Sequence, residues 1–292
     1  MELQRQIREK FGIEGCLCGD VIPSVADVLP VAGLDGRFAL KIYSPTRLPR
    51  DVRWEVELVR HLAASGVPVA KPMESRHSGV EILTVNGRER PAVLFEWAPG
   101  AKPSPSAEVY ALLGKAAAQL HAAADTFAHP SLREVYDAAC LIDSQLELMK
   151  DRLREAGRWT EARALGERLH RLIDSAALDR GICHMDLTLD NVHVDGETII
   201  VFDFDSAGEC WRSLEPHSAL RSSVDHFHAW LDGYRSVRAF SEEDERAARA
   251  FSIIADLRGV AWKLGVAASS RGAVMNLDDL SKTVDAWLAW DL

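Results

Sequence analysis

Three oxygen-bearing side chains, Asp186, Asn191 and Asp203, occur close together in the second half of the chain. The apolar run between them is interrupted at Asp195-Gly196, a pattern that predicts two short strands joined by a tight turn. Such a hairpin would bring all three side chains to neighbouring ends. Asn191 and Asp203 carry the hard oxygen donors that magnesium prefers, and Asp186 is a separate carboxylate that could act as a base. The stretch predicts a magnesium-nucleotide site.

The order of these residues matches a catalytic pattern. The chain reads His184-Met185-Asp186, then Asn191, and then Asp203 after an apolar strand. This is the H-x-D-x-x-x-x-N pattern followed by a metal-binding Asp that protein kinases use. The alternative is a merely acidic surface hairpin. A lone D-x-x-x-x-N would not decide between them, but the complete combination favours the catalytic interpretation.

The same stretch resembles the phosphotransferase enzyme family, which includes aminoglycoside phosphotransferases, choline kinase, homoserine kinase and hydroxylysine kinase. The family pattern typically reads HGDLHPGN followed by IDFDDAG. This chain has HMDLTLDN followed by FDFDSAG, with Met185 in place of glycine. Protein kinases carry Phe-Gly after the metal-binding Asp, whereas Asp203 is followed by Phe204 and Asp205. That departure favours a small-molecule kinase over a protein kinase.

The resemblance implies a role for each residue of the motif. Asp186 would be the catalytic base, Asn191 and Asp203 would bind Mg²⁺ with ATP, and His184 would support the loop by hydrogen bonding. Asp205 would be either a further carboxylate near the metal or a solvated turn residue. His121, at the end of an apolar helical stripe, would be structural.

Two upstream elements must then hold the nucleotide phosphates. Residues 37–43 alternate between apolar and other positions, which predicts a strand with Lys41 on one face. Residues 51–64 have the apolar spacing of a helix. The resemblance implies that Lys41 contacts the ATP phosphates and pairs with Glu55 of that helix, with Glu57 as the reserve candidate. The alternatives are an outward lysine on an edge strand and solvated glutamates.

Two further segments complete the predicted nucleotide site. Residues 96–100 read EWAPG, where proline and glycine end a strand pattern. The resemblance implies a hinge there, whose backbone at Glu96 and Ala98 would hydrogen-bond adenine. There is no glycine-rich phosphate loop of either common type, and a Walker-type NTPase is excluded. By resemblance, the turn around Ser24 would contact the phosphates through its amides and hydroxyl.

Bulk composition limits the classes of partner. The formal net charge of −10 argues against nucleic-acid binding and is compatible with a cationic substrate. Five irregularly spaced cysteines do not form a disulfide or zinc framework, which favours a reducing compartment. We see no apolar signal core and no membrane-length stretch. We therefore expect a cytoplasmic protein that binds neither membrane nor nucleic acid.

These observations predict an α+β, protein-kinase-like bilobal fold. The small β-rich N-terminal lobe would span residues 1–96, the hinge 97–100, and the larger, mainly helical C-terminal lobe 101–292. The predicted activity is transfer of the ATP γ-phosphoryl group to a hydroxyl of a small, cationic molecule, either an antibiotic or an amino alcohol or hydroxy amino acid. A bacterial stress-response type of protein Ser/Thr kinase and a nucleotide-binding pseudokinase are the alternatives. The oligomeric state is not predicted.

Overall fold

The computed structural model describes the chain outside residues 1, 15–16, 21–25, 35, 76–78, 130–134, 175–176, 268–274 and 291–292. The chain divides into two compact units. One unit comprises Met1–Ser104, Gln119–Arg133 and Thr188–Ala207, and the other comprises Pro105–Ala118, Glu134–Leu187 and Gly208–Leu292. Each unit is thus assembled from segments that are distant in sequence. The division into 1–96, 97–100 and 101–292 stays a prediction.

The first unit is built on a five-stranded antiparallel sheet with the strand order β1-β2-β3-β5-β4. Its strands are β1 (Leu17–Cys18), β2 (Asp27–Gly33), β3 (Gly36–Ile42), β4 (Glu81–Val85) and β5 (Arg88–Glu96). The alternation predicted for β3 is confirmed, because Phe38, Leu40 and Ile42 are buried in one apolar cluster. Helix α1 (Glu2–Phe11) adds Ile7 and Phe11 to that cluster. The sheet therefore has a continuous apolar face under α1.

Helix α2 (Pro49–Ala64) follows β3 in the first unit. It begins with a proline at its first position, where the missing N–H costs no helical hydrogen bond. It ends at Ala64, the N–H of the following Ser65 donates to the carbonyl of His61, and Pro68 prevents its continuation. One face of α2 is buried and includes Val52 and Glu55. A buried glutamate on an otherwise apolar face requires a polar partner.

The predicted hairpin is present in the first unit. Strands β7 (Val192–Asp195) and β8 (Thr198–Val201) pair antiparallel, with Asp195 opposite Thr198 across the turn. Backbone hydrogen bonds hold the hairpin within this unit, including those from Ala70 N–H to the Val201 carbonyl at 3.0 Å and from Val194 N–H to the Ala101 carbonyl at 2.8 Å. Residues that flank the hairpin are therefore fixed against the segments that follow α2 and β5.

The second unit is mainly helical. Its helices are α4 (Ser144–Glu155), α5 (Trp159–Asp174), α6 (His217–Ser222), α7 (Val224–Arg235), α8 (Glu242–Ala267) and α9 (Leu277–Leu288), while α3 (Ala107–Ala124) is shared by both units. A π-helical turn, Ala139–Asp143, leads directly into α4. The charge pattern of residues 131–178 predicts helix throughout, but the described residues 135–137, 156–158 and 177–178 are not helical. Loop residues such as Gly157, which has φ +70, end the helical segments.

A short antiparallel pair in the second unit was not predicted. Strand β6 (Arg180–Cys183) pairs with β9 (Gly208–Trp211), with Cys183 opposite Gly208. The apolar core around this pair is formed by residues of α4, α5, α8 and α9, including Met149, Leu169, Phe251 and Trp287. The pair places the chain immediately before and after residues 184–207 side by side.

None of the helices in the described part of the chain combines the length and apolar composition that crossing a bilayer requires.

Candidate functional site

A cavity of about 520 Å³ lies within the first unit. Of the seven residues predicted to bind the nucleotide, the six that are described line this cavity: Lys41, Glu55, Glu96, Ala98, Asn191 and Asp203. Ser24, the seventh, lies outside the described residues. Residues from β3, α2, β5 and the hairpin are thus brought together around one space, although they are widely separated in sequence.

Lys41 joins two carboxylates in this cavity. Its ammonium donates to Glu55 Oε1 at 3.0 Å and to Asp203 Oδ1 at 2.8 Å. The Tyr43 hydroxyl also donates to Glu55 Oε1, at 3.0 Å. Lys41 and Glu55 are almost completely buried, and Asp203 is partly buried. A buried ammonium held in this way has a fixed position, which suits a group that must meet phosphate oxygens.

The charge of Lys41 is maintained despite its burial. Burial alone would lower the pKa of Lys41, but the carboxylates of Glu55, Asp203 and Asp205, with a contribution from Tyr43, raise that pKa well above its ordinary value. Burial and the same Glu55 carboxylate also raise the pKa of Tyr43 well above its usual range. Lys41 is therefore positively charged and Tyr43 a neutral donor across the physiological range.

Glu57, the reserve candidate on α2, has a different environment. Its side chain is half exposed, and its carboxylate lies 3.0 Å from Nε2 of His129. Glu55 faces the cavity and Glu57 does not line it. Of the two glutamates, Glu55 is the one that contacts Lys41.

Asn191 and Asp203 lie at the open end of the β7–β8 hairpin. The N–H of Phe202, the residue before Asp203, donates to the Asn191 carbonyl at 3.0 Å. Asp203 adopts a left-handed conformation, with φ 65 and ψ 62, that non-glycine residues rarely occupy. Both side chains are partly buried and line the cavity. An amide oxygen and a carboxylate in this position fit the oxygen-ligand preference of magnesium.

Asp205 is not a solvated turn residue. Arg47, in the segment between β3 and α2, donates to its carboxylate at 2.6 Å and to its backbone carbonyl at 2.7 Å. The Asp205 carboxylate is also 4.0 Å from the ammonium of Lys41. Burial opposes the charge of Arg47, but the hydrogen bond to Asp205 raises the pKa of that guanidinium. Arg47 thus braces the short helical turn Phe204–Ser206 that follows Asp203.

The backbone of the predicted hinge presents a defined pattern. The Glu96 N–H donates to the Lys71 carbonyl at 2.8 Å, and the Trp97 N–H donates to the Arg37 carbonyl. Glu96 is therefore at a non-hydrogen-bonded position of the β3–β5 pair, and its carbonyl is directed away from β3. The Ala98 carbonyl receives Nδ1–H of His193 at 2.9 Å, whereas the Ala98 N–H has no acceptor among the described residues.

The loop that carries Asp186 belongs to the second unit. His184 and Met185 are buried, Met185 has φ +70, and Asp186 is exposed. The buried carboxylate of Glu215 accepts from the backbone N–H of Met185 at 2.8 Å and of His184 at 3.3 Å. In the next peptide group along the chain, the Met185 carbonyl accepts from Arg258 at 3.1 Å. The convergence of Asp186 with Asn191 and Asp203 stays a prediction.

Sequence reasoning missed Glu215 and Arg47. A signal was present: Glu215 is an acidic residue between Leu214 and Pro216 at the point where a short turn leads into α6. Arg47 had no comparable signal, since a single basic residue in a loop predicts no particular partner.

The model of the phosphotransferase enzyme family matches residues 27–251. A homoserine kinase from Paraburkholderia phymatum is 31% identical over 233 residues, which are 72% of this chain and 70% of that protein. The structure of an amicoumacin kinase with AMP-PNP, Ca²⁺ and its ligand Ami has a TM-score of 0.80 at 18% identity, covering 98% of this chain and 92% of its own.

A second solved structure agrees with the first. A microcompartment-associated aminopropanol kinase has a TM-score of 0.73 at 21% identity, over 98% of this chain and 93% of its own. The predicted fold class, with a small antiparallel sheet region and a larger helical region, is confirmed by these likenesses. The family model spans most of the chain, which confirms the predicted resemblance. The chain is a kinase-type transferase that belongs to the phosphotransferase enzyme family.

Proposed function

We propose that the protein transfers the γ-phosphoryl group of ATP to a hydroxyl of a small, amine-bearing molecule. The observation that carries this proposal is the ammonium of Lys41, held between Glu55 and Asp203 in a cavity that Asn191 also lines. Phosphoryl transfer depends on positioning and charge neutralisation more than on covalent help from the protein. A buried, permanently charged ammonium beside two metal-type oxygen donors meets that need.

The hinge supports ATP as the nucleotide. In our proposal the Glu96 carbonyl accepts from the adenine amino group, and the Ala98 N–H donates to the adjacent ring nitrogen. Guanine presents the opposite polarity, with a carbonyl oxygen and a protonated ring nitrogen at these positions. The Ala98 carbonyl, which could otherwise have accepted from that nitrogen, is engaged by His193. The backbone pattern therefore favours adenine over guanine.

The phosphates would lie between the hinge and the motif residues. Lys41 would contact the α- and β-phosphate oxygens, and Asn191 and Asp203 would hold Mg²⁺. When bound, the metal would neutralise charge on the phosphate oxygens. Glu55 and Tyr43 orient the ammonium of Lys41, and Arg47 braces the turn after Asp203 through Asp205.

The chemical step itself is an in-line displacement. The acceptor oxygen forms a bond to the γ-phosphorus, while the bond from that phosphorus to the β–γ bridging oxygen breaks and its electron pair leaves with ADP. Asp186 orients the acceptor hydroxyl and receives its proton late in the step. Glu215 and Arg258 hold the peptide groups before Asp186, which fixes the position of this carboxylate.

Two classes of acceptor are supported by the relatives' names. A homoserine kinase and an aminopropanol kinase favour a hydroxy amino acid or an amino alcohol, whereas an amicoumacin kinase favours an antibiotic and a resistance role. All of these acceptors carry an amine, and the net charge of −10 favours attraction of a cation.

The test is an ADP-release assay with ATP and Mg²⁺ across homoserine, 3-aminopropan-1-ol, choline, hydroxylysine, several aminoglycosides and a general protein substrate. We expect phosphate on the hydroxyl of at least one small molecule. Asp186→Asn should reduce turnover by at least about 1,000-fold while retaining ATP binding, given that loss of a base and of its positioning role both contribute.

The matched control is Asp195→Asn, since Asp195 is an exposed residue at the hairpin turn that does not line the cavity. Its turnover should equal that of the wild type. Wild-type turnover by Asp186→Asn would refute its assignment as base. Phosphate on protein serine or threonine alone would favour the protein-kinase alternative, and ATP binding without any turnover would favour a pseudokinase.

A further inference from the structure

Arg258 of α8 lies beside the loop that carries Asp186, within the second unit. One of its terminal nitrogens donates to the Met185 carbonyl at 3.1 Å, and its guanidinium lies 5.1 Å from the ring centroid of Tyr136. Met185 directly precedes Asp186, which places the guanidinium one peptide away from the proposed base. Arg258 is partly buried, so this position is held by packing as well as by these contacts.

Both contacts of Arg258 are to neutral groups. Across the described residues of the chain, no carboxylate lies within 4.0 Å of its guanidinium. Two other arginines of the second unit differ: Arg212 and Arg238 both pair with Asp179. A guanidinium has five N–H donors, and the Met185 carbonyl uses one of them. The remaining donors form the planar fork that binds a carboxylate through two hydrogen bonds.

The charges of Asp186 and Arg258 both affect the pKa of His217. Burial lowers the pKa of His217, Glu215 and Asp186 oppose that shift, and Arg258 adds to it. The charges of Asp186 and Arg258 therefore act on the same imidazole. Nδ1 of His217 donates to the Leu214 carbonyl at 3.0 Å, and the ring stays neutral near pH 7. A neutral His217 does not compete with Arg258 for an anion.

We propose that Arg258 binds the carboxylate of the phosphate acceptor, and that the acceptor is therefore an amino acid with a side-chain hydroxyl. This inference rests on the proposed function, because it assigns the acceptor of the same reaction. A carboxylate on Arg258 would hold the amino acid backbone beside the loop and leave the hydroxyl end to reach Asp186. An amino alcohol lacks the group that this arginine recognises.

The experiment compares two acceptors that differ by the carboxylate alone, L-homoserine and 3-aminopropan-1-ol. In the wild-type protein, kcat/KM should favour homoserine. In Arg258→Met, the ratio of the two kcat/KM values should fall by about 10- to 100-fold, the usual effect of losing a charged hydrogen-bonding partner. The loss should appear in KM for homoserine, and Arg258→Lys should recover part of it because the charge is kept without the planar fork.

Arg249→Met is the matched control, since Arg249 is an exposed arginine of the same helix and its loss changes the net charge equally. Its ratio should stay at the wild-type value. Equal losses for both acceptors in Arg258→Met and Arg258→Lys would overturn the proposal, because a residue that only supports the Met185 peptide affects every acceptor alike. Direct titration of homoserine into each variant, with ATP-free protein, checks the KM effect independently of turnover and of small changes in folding.

The proposal and the function on which it rests fail in different ways. A wild-type protein that phosphorylates amino alcohols but no hydroxy amino acid overturns the carboxylate site and leaves the kinase assignment standing. A wild-type protein that phosphorylates no acceptor in the panel overturns the proposed function and the carboxylate site with it.

Discussion

The ammonium of Lys41 donates a hydrogen bond of 2.8 Å to the carboxylate of Asp203, although 162 positions separate the two residues. The same ammonium bonds Glu55, so one buried cation connects β3, α2 and the end of the β7–β8 hairpin. Three charges in one buried cluster are costly unless each is paired. The cluster is thus both a structural element of the first unit and the feature most suited to binding phosphates.

Replacement of Lys41 tests this cluster. Lys41→Met removes the cation and one of the donors to Glu55 Oε1, while the hydrogen bond from Tyr43 remains. We expect kcat/KM for ATP to fall by at least about 100-fold, the usual cost of removing one preorganised charged donor from an active site. The measurement is steady-state turnover with ATP as the varied substrate, together with equilibrium binding of ATP.

Lys71→Met is the control for that variant, since Lys71 is an exposed lysine of the same unit and its side chain does not line the cavity. It should bind and use ATP as the wild type does. ATP affinity in Lys41→Met equal to that of the control would contradict the role of Lys41 in phosphate binding.

Loss of the contact between Arg47 and Asp205 should lower kcat/KM for ATP by less than the loss of Lys41 does. Arg47→Met leaves Lys41 and Asp203 in place but removes both hydrogen bonds to Asp205. Since these groups are partly exposed, the loss should be about 1 to 2 kcal/mol, or a decrease of roughly 5- to 30-fold in kcat/KM for ATP. We expect the variant to need more Mg²⁺ for half-maximal turnover, which a magnesium titration measures.

Arg53→Met provides the comparison, because Arg53 is an exposed arginine of α2 and the substitution changes the net charge equally. An unchanged magnesium requirement in Arg47→Met would show that the turn after Asp203 does not depend on this arginine.

The parts of this arrangement that sequence could predict are the local ones. The alternation of apolar side chains along β3 and the Asp195-Gly196 turn follow from short-range patterns, because a period of two and a tight turn each leave a signal within a few residues. The pairing of β6 with β9 leaves no such signal: both strands are short, and a long insertion that contains the whole hairpin separates them. The contact of Arg47 with Asp205 likewise depends on how distant segments pack.

Asp179 pairs with two arginines in the second unit. From these pairs we expect the free energy of unfolding to depend on pH. It accepts from Arg212, which is 1% exposed, and from Arg238. Burial opposes the charge of Asp179, but these hydrogen bonds hold its pKa below the ordinary value of 3.8. Asp179→Asn should lower the free energy of unfolding at pH 7 by about 2 to 3 kcal/mol, less than for a fully buried pair because Asp179 is partly exposed.

The sign of the pH dependence follows from the lowered pKa. The unfolded chain takes up a proton at Asp179 before the folded protein does, so the stabilisation is complete above the unfolded pKa and is lost as pH falls through the folded value. The difference in unfolding free energy between wild type and Asp179→Asn should therefore be constant from pH 5 to 7 and shrink below about pH 4. Urea denaturation across this range measures it, with Asp151→Asn as an exposed control.

Gly100, at the end of the predicted hinge, has no room for a side chain. It has φ +77, and a Cβ built there would lie 2.1 Å from the Val194 carbonyl oxygen and 2.9 Å from the Asp195 nitrogen. The neighbouring bonds between Ala101 and Val194 hold the hairpin in the first unit, so Gly100→Ala must displace backbone.

Gly87→Ala has the same conformational strain, with φ +72, but no atom within 4 Å of the added methyl group. We expect about 1 to 2 kcal/mol of destabilisation for Gly87→Ala from conformation alone. Gly100→Ala should be less stable than Gly87→Ala and should also bind ATP more weakly, because Ala98 and Asn191 lie on the two segments that the clash pushes apart. Equal melting temperatures and equal ATP affinities for the two variants would contradict the close approach of the hinge and the hairpin.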